Sequence, residues 1–225
     1  EEKLYIHKDA QPFQDRPRKW PIHIKDRVAK ELKRMEELGI IRRVKKHTEW
    51  CSSLTYAVKS DSSLRVCLDP RRLNDALQRN PHKVPTVEEI LPEFSKSKVF
   101  SKLDAKSGYW GVKLAPESQE LTTFHGPMGL KYCYNRLPFG LKISNDYFQK
   151  KIDKITQQCP GTIGISDDIV VHGNDEAEHD ERLLYFMKVA RSEGLMLNSQ
   201  KCKIKSKTIS FFGRVLTDEG VKPDQ

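Results

Sequence analysis

Two adjacent acidic residues, Asp167 and Asp168, interrupt an apolar stretch that runs from Thr162 to Val171. Apolar half-strands on either side of a short polar break predict two strands joined by a turn. A tight turn can hold neighbouring carboxylates near one point, whereas a straight strand directs them to opposite faces. Two like charges held together need a counter-charge, and a divalent metal ion is a natural one. An ordinary aspartate-rich hairpin turn is the alternative that this segment alone leaves open.

A third carboxylate follows another apolar segment. Asp104 ends a predicted strand over residues 99–103, and small residues with Gly108 then turn the chain. Three acidic side chains with no cysteine or histidine nearby favour a hard ion such as Mg²⁺ or Mn²⁺. Two such ions about 3.5–4 Å apart are the usual device for in-line displacement at phosphorus.

Composition indicates the kind of partner. The chain of 225 residues carries 40 Lys and Arg against 31 Asp and Glu, a formal net charge of +9. This excess favours an acidic partner, most commonly nucleic acid. The five cysteines are odd in number and widely spaced, which disfavours a disulfide framework and predicts an intracellular location. Apolar runs are too short for a transmembrane helix, and no signal peptide is visible, so no membrane partner is expected.

Hydrophobic spacing and turn residues predict the elements. Helices are predicted over residues 23–38, 86–94, 145–155 and 176–192. Strands are predicted over residues 53–59, 64–68, 99–103, 110–114, 121–124, 130–134 and 204–215, and in both halves of 162–171. The first helix has an apolar face of Ile24, Val28, Leu32, Met35 and Leu38. Its other face is either solvated or directed at phosphates, and carries Lys25, Arg27, Lys30, Lys33 and Arg34. Irregular alternation of strands and helices favours an α+β domain with an antiparallel sheet.

SKLDAKSGYW (Ser101–Trp110) and GISDDIVVHG (Gly164–Gly173) are two acidic motifs that follow one another along the chain. In this order they resemble the two acidic motifs in the palm of a reverse transcriptase. Further segments resemble gypsy-like LTR retrotransposons in the family order: EWCSSL, SLRVCLDPRRLN, RLPFGL, YFQ, EGLMLN and FFGRVLTDEGVKPD. On these motifs the chain is identified as a member of the reverse transcriptases of gypsy-like pol polyproteins.

The resemblance implies an architecture. It is the fingers and palm of a right-hand polymerase, with an antiparallel palm sheet flanked by helices. Residues 1–22 would form an extended N-terminal arm on the surface, 23–98 the fingers, and 99–225 the palm, with a fingers-like excursion at about 115–140. The chain would end before the thumb, so this fragment alone is expected to extend primers feebly or not at all.

The resemblance also implies an activity, that of an RNA-directed DNA polymerase. Two Mg²⁺ (or Mn²⁺) ions would serve the addition of dNTPs to the 3′-hydroxyl of a primer on an RNA or DNA template. RNase H and integrase would belong to the same polyprotein, located in a cytoplasmic virus-like particle, in the nucleus, or in both.

Individual roles carry over from the family motifs. The catalytic and metal-binding residues would be Asp104, Asp167 and Asp168, with the carbonyl of Ala105 as a further metal ligand. The incoming nucleotide would meet Lys59, Arg65, Tyr109 as a steric gate, Phe139 and Gly140. The primer grip would be Phe211, Phe212 and Gly213, and Lys201 would act as a general acid toward pyrophosphate.

The chain also departs from the family pattern. Ile165 replaces the aromatic residue before the Asp pair, and residues 144–146 lack the usual Ala-Pro at the start of a helix. These departures are compatible with a domesticated or catalytically weak descendant that binds nucleic acid or protein. A metal-dependent phosphohydrolase is a third reading, which explains the acids but leaves Arg65, Tyr109 and the basic excess unexplained.

Overall fold

The structure is a computed structural model that describes residues 1–58, 62–106 and 108–223. Its helices are α1 (Ile22–Glu37), α2 (Arg71–Ala76), α3 (Val87–Ile90), α4 (Pro116–Gln119), α5 (Ser144–Thr156) and α6 (Glu176–Ser192). The first six strands are β1 (Ile41–Arg43), β2 (Ser53–Val58), β3 (Leu64–Asp69), β4 (Val99–Asp104), β5 (Phe124–His125) and β6 (Lys131–Tyr134). The others are β7 (Thr162–Ile165), β8 (Asp168–Gly173), β9 (Lys203–Ser206), β10 (Thr208–Phe211), β11 (Arg214–Thr217) and β12 (Gly220–Pro223).

The chain folds into two compact units. One consists of Glu1–Pro81 and Val112–Ser144, and the other of His82–Gly111 and Asn145–Gln225. Residues 82–98, which the sequence assigns to the fingers, therefore belong to the second unit. The reason is that Ile90 and Phe94 are buried in one hydrophobic cluster with Phe100 of β4.

The first unit contains the sheet β1-β6-β5 and the hairpin β2-β3. Helix α1 buries four of its five predicted apolar residues, and Gly39 ends it with a positive φ of 66°. The fifth, Leu38, is 56% exposed, because it lies beyond the last helical residue. The N-terminal segment does not only lie on the surface, since Leu4 and Phe13 are buried. Phe13 packs edge-on against Trp50, with ring centroids 5.3 Å apart.

The strand predicted over residues 110–114 is wrong. Residues Gly108–Gly111 form a 3₁₀ turn, and Lys113 and Leu114 make only isolated bridges. The apolar alternation there has another cause, because Trp110 belongs to the second unit, whereas Val112 and Leu114 are buried within the first.

The second unit is built on the antiparallel sheet β7-β8-β4-β9, accompanied by the meander β10-β11-β12. Helix α5 lies directly against β7, because Gly164 has no side chain there. A Cβ at Gly164 would come within 2.3 Å of Cγ2 of Ile152. Helix α6 begins at the predicted residue 176, and the Asp175 side chain caps it by accepting a hydrogen bond from the N–H of Glu178. Within the described part of the chain, no helix is long and apolar enough to cross a membrane.

Candidate active site

Two of the three predicted catalytic residues lie at adjacent ends of neighbouring strands. Asp104 at the end of β4 is the register partner of Asp168 at the start of β8. Partners in an antiparallel ladder have Cα atoms about 4.5–5.5 Å apart, so the two carboxylates start from adjacent points. The N–H of Ala105 donates to the carbonyl oxygen of Asp167 at 2.8 Å, and this hydrogen bond joins the turn between β7 and β8 to the end of β4.

Asp167 lies in a two-residue turn between β7 and β8. Ile165 and Asp168 are the last paired residues of that hairpin, so Ser166 and Asp167 alone form the connection. Ser166 has a φ of +51°, a left-handed conformation that costs a residue with a side chain about 1 kcal/mol. The tight turn expected from the sequence is therefore present, and it holds Asp167 beside Asp168.

The three carboxylates act on one another electrostatically. The pKa of Asp167 is raised, chiefly by burial and then by the negative charges of Asp104 and Asp168. Lys201 opposes that rise. Two ammonium groups balance the other acids: Lys102 Nζ lies 3.0 Å from Asp168 Oδ2, and Lys201 Nζ lies 3.4 Å from Asp104 Oδ2.

The donors available here suit a hard divalent cation. Mg²⁺ and Mn²⁺ prefer oxygen ligands such as carboxylates. A divalent cation would also relieve the repulsion between these like charges. As the side chains stand, no group of three or more Asp, Glu, His or Cys residues in the described ranges has the arrangement of a formed metal site. In this arrangement Lys201 and Lys102 are paired with Asp104 and Asp168.

Tyr109 lies in the same neighbourhood. Its ring packs edge-on against Phe148, with centroids 5.8 Å apart. The pKa of Tyr109 is raised by burial and by the charge of Asp167. Gly108 allows the packing, because a Cβ at that position would meet the Phe148 ring at 2.5 Å.

The residues predicted as the primer grip form the tip of a hairpin. Phe211 ends β10 and is buried in the core of the second unit, so its side chain is not available to a primer. Phe212 and Gly213 form the two-residue turn, both with positive φ (47° and 71°). The ring of Phe212 is 43% exposed and rests against Phe211, with centroids 5.0 Å apart.

The remaining nucleotide-binding candidates meet in the first unit. The guanidinium carbon of Arg65 on β3 lies 5.6 Å from the centre of the Phe139 ring. Gly140 has a φ of +103°, and a Cβ there would come within 3.2 Å of the carbonyl oxygen of Leu68. Lys59, the remaining predicted contact, lies outside the described residues.

Sequence reasoning missed several residues that hold these groups in place. Asn74 donates to the carbonyl of Gly140 at 3.0 Å and accepts from the N–H of Lys142 at 2.9 Å, which fixes the loop after Phe139. Lys102 lies within the acidic motif SKLDAKSGYW, and that position is the signal that indicates its pairing with Asp168. Gln149 accepts a hydrogen bond from the N–H of Ser166 in the Asp167 turn, and the YFQ motif is the signal that indicates it. His82 lies 2.6 Å from Asp153 Oδ2, and no sequence signal indicates that contact.

The model of the family "Reverse transcriptase (RNA-dependent DNA polymerase)" matches residues 57–216, which include both the strand ending at Asp104 and the Asp167 turn. The chain belongs to the reverse transcriptase family. It is 37% identical over 158 residues to an enzymatic polyprotein of Cestrum yellow leaf curling virus, a match that covers 69% of this chain and 25% of that protein. It is 27% identical over 225 residues to the retrovirus-related Pol polyprotein from transposon gypsy of Drosophila melanogaster, covering 96% of this chain and 21% of that protein. The resemblance to gypsy-like pol polyproteins is thereby confirmed.

Solved reverse transcriptases share the fold. The foamy viral protease-reverse transcriptase in complex with RNA/DNA hybrid has a TM-score of 0.83 at 21% identity. That match covers 96% of this chain and 29% of the foamy viral chain. The expected α+β architecture of polymerase fingers and palm is therefore confirmed, and the chain spans about a quarter of the relatives it matches.

Proposed function

We propose that this chain is the polymerising core of an RNA-directed DNA polymerase, which adds dNTPs to the 3′-hydroxyl of a primer on an RNA or DNA template. The observation that carries the proposal is the register pair of Asp104 and Asp168, with Asp167 beside them in a tight turn. Three clustered acids at the ends of strands suit phosphoryl transfer, in which catalysis comes mainly from positioning and electrostatics.

Asp104, Asp167, Asp168 and the carbonyl of Ala105 would hold two Mg²⁺ (or Mn²⁺) ions. When bound, these ions would neutralise charge on the phosphates and favour ionisation of the primer hydroxyl. Lys102 and Lys201 would leave Asp168 and Asp104 as the carboxylates turn to the ions. Lys201 would then be free to protonate the leaving pyrophosphate.

Several side chains would recognise the incoming nucleotide. Arg65 would clamp the triphosphate with its planar fork of donors, and the guanidinium is already oriented by the Phe139 ring. Gly140 would let the backbone approach the nucleotide closely, and Lys59 would add a further charge. The Tyr109 ring, held by Phe148, would exclude a ribose 2′-hydroxyl.

The exposed Phe212 ring and Gly213 would contact the primer end, with Phe211 as their buried anchor. The +9 net charge supports binding to a nucleic-acid duplex, and the foamy viral relative is in complex with an RNA/DNA hybrid. Residues 23–81 and 112–144 would serve as fingers, and the second unit as palm. RNase H and integrase would lie in the same polyprotein, in a virus-like particle in the cytoplasm or in the nucleus.

Single-nucleotide extension of a labelled primer on an RNA template, with Mg²⁺ present and the protein in excess, tests this proposal. Asp167→Asn keeps the shape of the side chain and should abolish extension. Asp218→Asn, an exposed aspartate in the last hairpin, is the matched control and should leave extension unchanged. Extension that survives Asp167→Asn would contradict the proposed site. If the wild type, fused to the thumb of a related reverse transcriptase, binds a primer-template duplex but adds no nucleotide, the domesticated binding module becomes the better description.

A further inference from the structure

The side chain of Gln149 joins helix α5 to the turn that carries Asp167. Gln149 is completely buried. Its Oε1 accepts a hydrogen bond from the N–H of Ser166 at 2.8 Å, and its Nε2 donates to the carbonyl oxygen of Gly164 at 2.9 Å. One amide group therefore binds the main chain on both sides of the point where β7 becomes the turn.

That turn needs support from outside. The left-handed backbone at Ser166 persists only if its surroundings impose it. The N–H of Ala105 holds the carbonyl of Asp167 on one side, and Gln149 holds the N–H of Ser166 on the other. The position of the Asp167 carboxylate thus depends on where the Gln149 amide is fixed.

Two further residues fix that amide. Asp153 Oδ1 accepts from Gln149 Nε2 at 2.7 Å, so a reversed amide would bring two oxygens together. His82 Nε2 lies 2.6 Å from Asp153 Oδ2, and the backbone N–H of His82 donates to Asp146 Oδ1 at 3.2 Å. Asp146, Gln149 and Asp153 are three and four positions apart and share one face of α5. The His82 segment is therefore connected to the turn through a continuous chain of hydrogen bonds.

We propose that His82 and Asp153 are positioning residues that hold Gln149, and through it the Asp167 turn, in the geometry required for nucleotide addition. This inference rests on the proposed function. A displacement of about 1 Å at a reacting centre can cost about a hundredfold in rate, so a loosened turn should lower kcat. The side chains of His82 and Asp153 are 34% and 22% exposed, and the imidazole can be replaced without opening a cavity in the core.

The test compares His82→Phe, which keeps a ring but loses the bond to Asp153, with His82→Gln, which can still donate. The control is His23→Phe on the exposed surface of α1. In His82→Phe, amide hydrogen exchange at Ser166 should accelerate about tenfold, while exchange at buried Ile169 of β8 stays constant. The kcat for single-nucleotide addition should fall about tenfold, with KM for the dNTP within about twofold. His82→Gln should restore both exchange and kcat.

Three results would overturn the inference. The first is unchanged hydrogen exchange at Ser166, and the second is equal acceleration of exchange at Ser166 and Ile169. The third is a kcat in the His82→Phe, Gln149→Met double variant that is lowered by the product of the two single-variant factors. Residues acting through one chain give a double variant no worse than the more severe single one. The exchange readout separates this inference from the proposed function. If exchange at Ser166 responds as expected while Asp167→Asn adds nucleotides at the wild-type rate, the function is wrong and the hydrogen-bonded chain still stands.

Discussion

Asp104 and Asp168 are direct register partners across β4 and β8, and the negative charge of each acts on Asp167 in the adjoining turn. This relationship predicts the titration of Asp167. Its pKa is raised by burial, next by Asp104 and then by Asp168, and it is opposed by Lys201. Asp104→Asn should therefore lower the Asp167 pKa more than Asp168→Asn does, and Lys201→Met should raise it. Carboxyl-carbon NMR in metal-free buffer measures these shifts, and identical pKa values in all variants would contradict the clustering.

The contact between α5 and β7 predicts a position that cannot accept a methyl group. Gly164→Ala would place a Cβ 2.3 Å from Ile152 Cγ2, and overpacking of this kind costs about 1–3 kcal/mol of unfolding free energy. Gly111→Ala is the control, because its nearest neighbour, Lys151 Nζ, is 3.4 Å away. Urea denaturation of both variants measures the difference. Equal stabilities would show that α5 and β7 are not in close contact.

Buried His172 predicts a loss of stability in acid. Burial, followed by the positive charge of Arg182, lowers its pKa to about 4, so the folded state favours the neutral ring. Between pH of about 6.5 and 4 the unfolded chain binds more protons than the folded one. The contribution of His172 to the free energy of unfolding should therefore be fully present above pH of about 6.5 and fall by about 3 kcal/mol as the pH drops to about 4.

His172→Gln isolates this contribution. The unfolding free energy of the wild type minus that of the variant should rise with pH between about 4 and about 6.5. Below and above that range the difference should be independent of pH. Denaturation curves across this pH range supply the difference. A flat difference throughout would mean that the ring, which lies 2.7 Å from Ser97 Oγ through its Nδ1, titrates normally.

The exposed basic face of α1 predicts salt-sensitive binding to a primer-template duplex. Lys30 and Lys33 are exposed on that face, and each phosphate contact contributes roughly one unit to the slope of log K against log salt. Lys30→Ala and Lys33→Ala should each reduce that slope by about one, whereas Lys188→Ala on α6 should not. Fluorescence anisotropy at several salt concentrations measures the slopes. Affinity independent of salt would contradict phosphate contacts.

Local signals made much of this fold predictable. The apolar period of α1, the cap at Asp175 and the polar break at the Asp167 turn each lie within one short segment, where sequence and structure are directly linked. Asp104 and Asp168 lie in distant segments. The acidic residues and the resemblance to the family predict that they share a site, but no local pattern specifies their register pairing.

The features that sequence reasoning missed depend on tertiary contacts. The bond between His82 and Asp153 joins residues in different segments that no periodicity connects. The alternation from Trp110 to Leu114 imitates a strand, although its residues are divided between two units. Leu38 follows the apolar spacing of α1 but lies past the end of the helix, where that spacing no longer determines burial.

The division of each unit between two chain segments has a consequence for the order of folding during synthesis. Strand β1 must wait for β6, and the arm residue Glu2 must wait for Leu114, before the first unit is complete. Strand β4 leaves the ribosome earlier than β6 but finds its partners only when β8 and β9 have been made. A growing chain therefore exposes β4, whose residues are mostly buried in the finished fold, while the chain segments before and after it assemble into the first unit. Because such long-range closures are slow, we expect nascent chains that end between β4 and β8 to be the ones that depend most on chaperones.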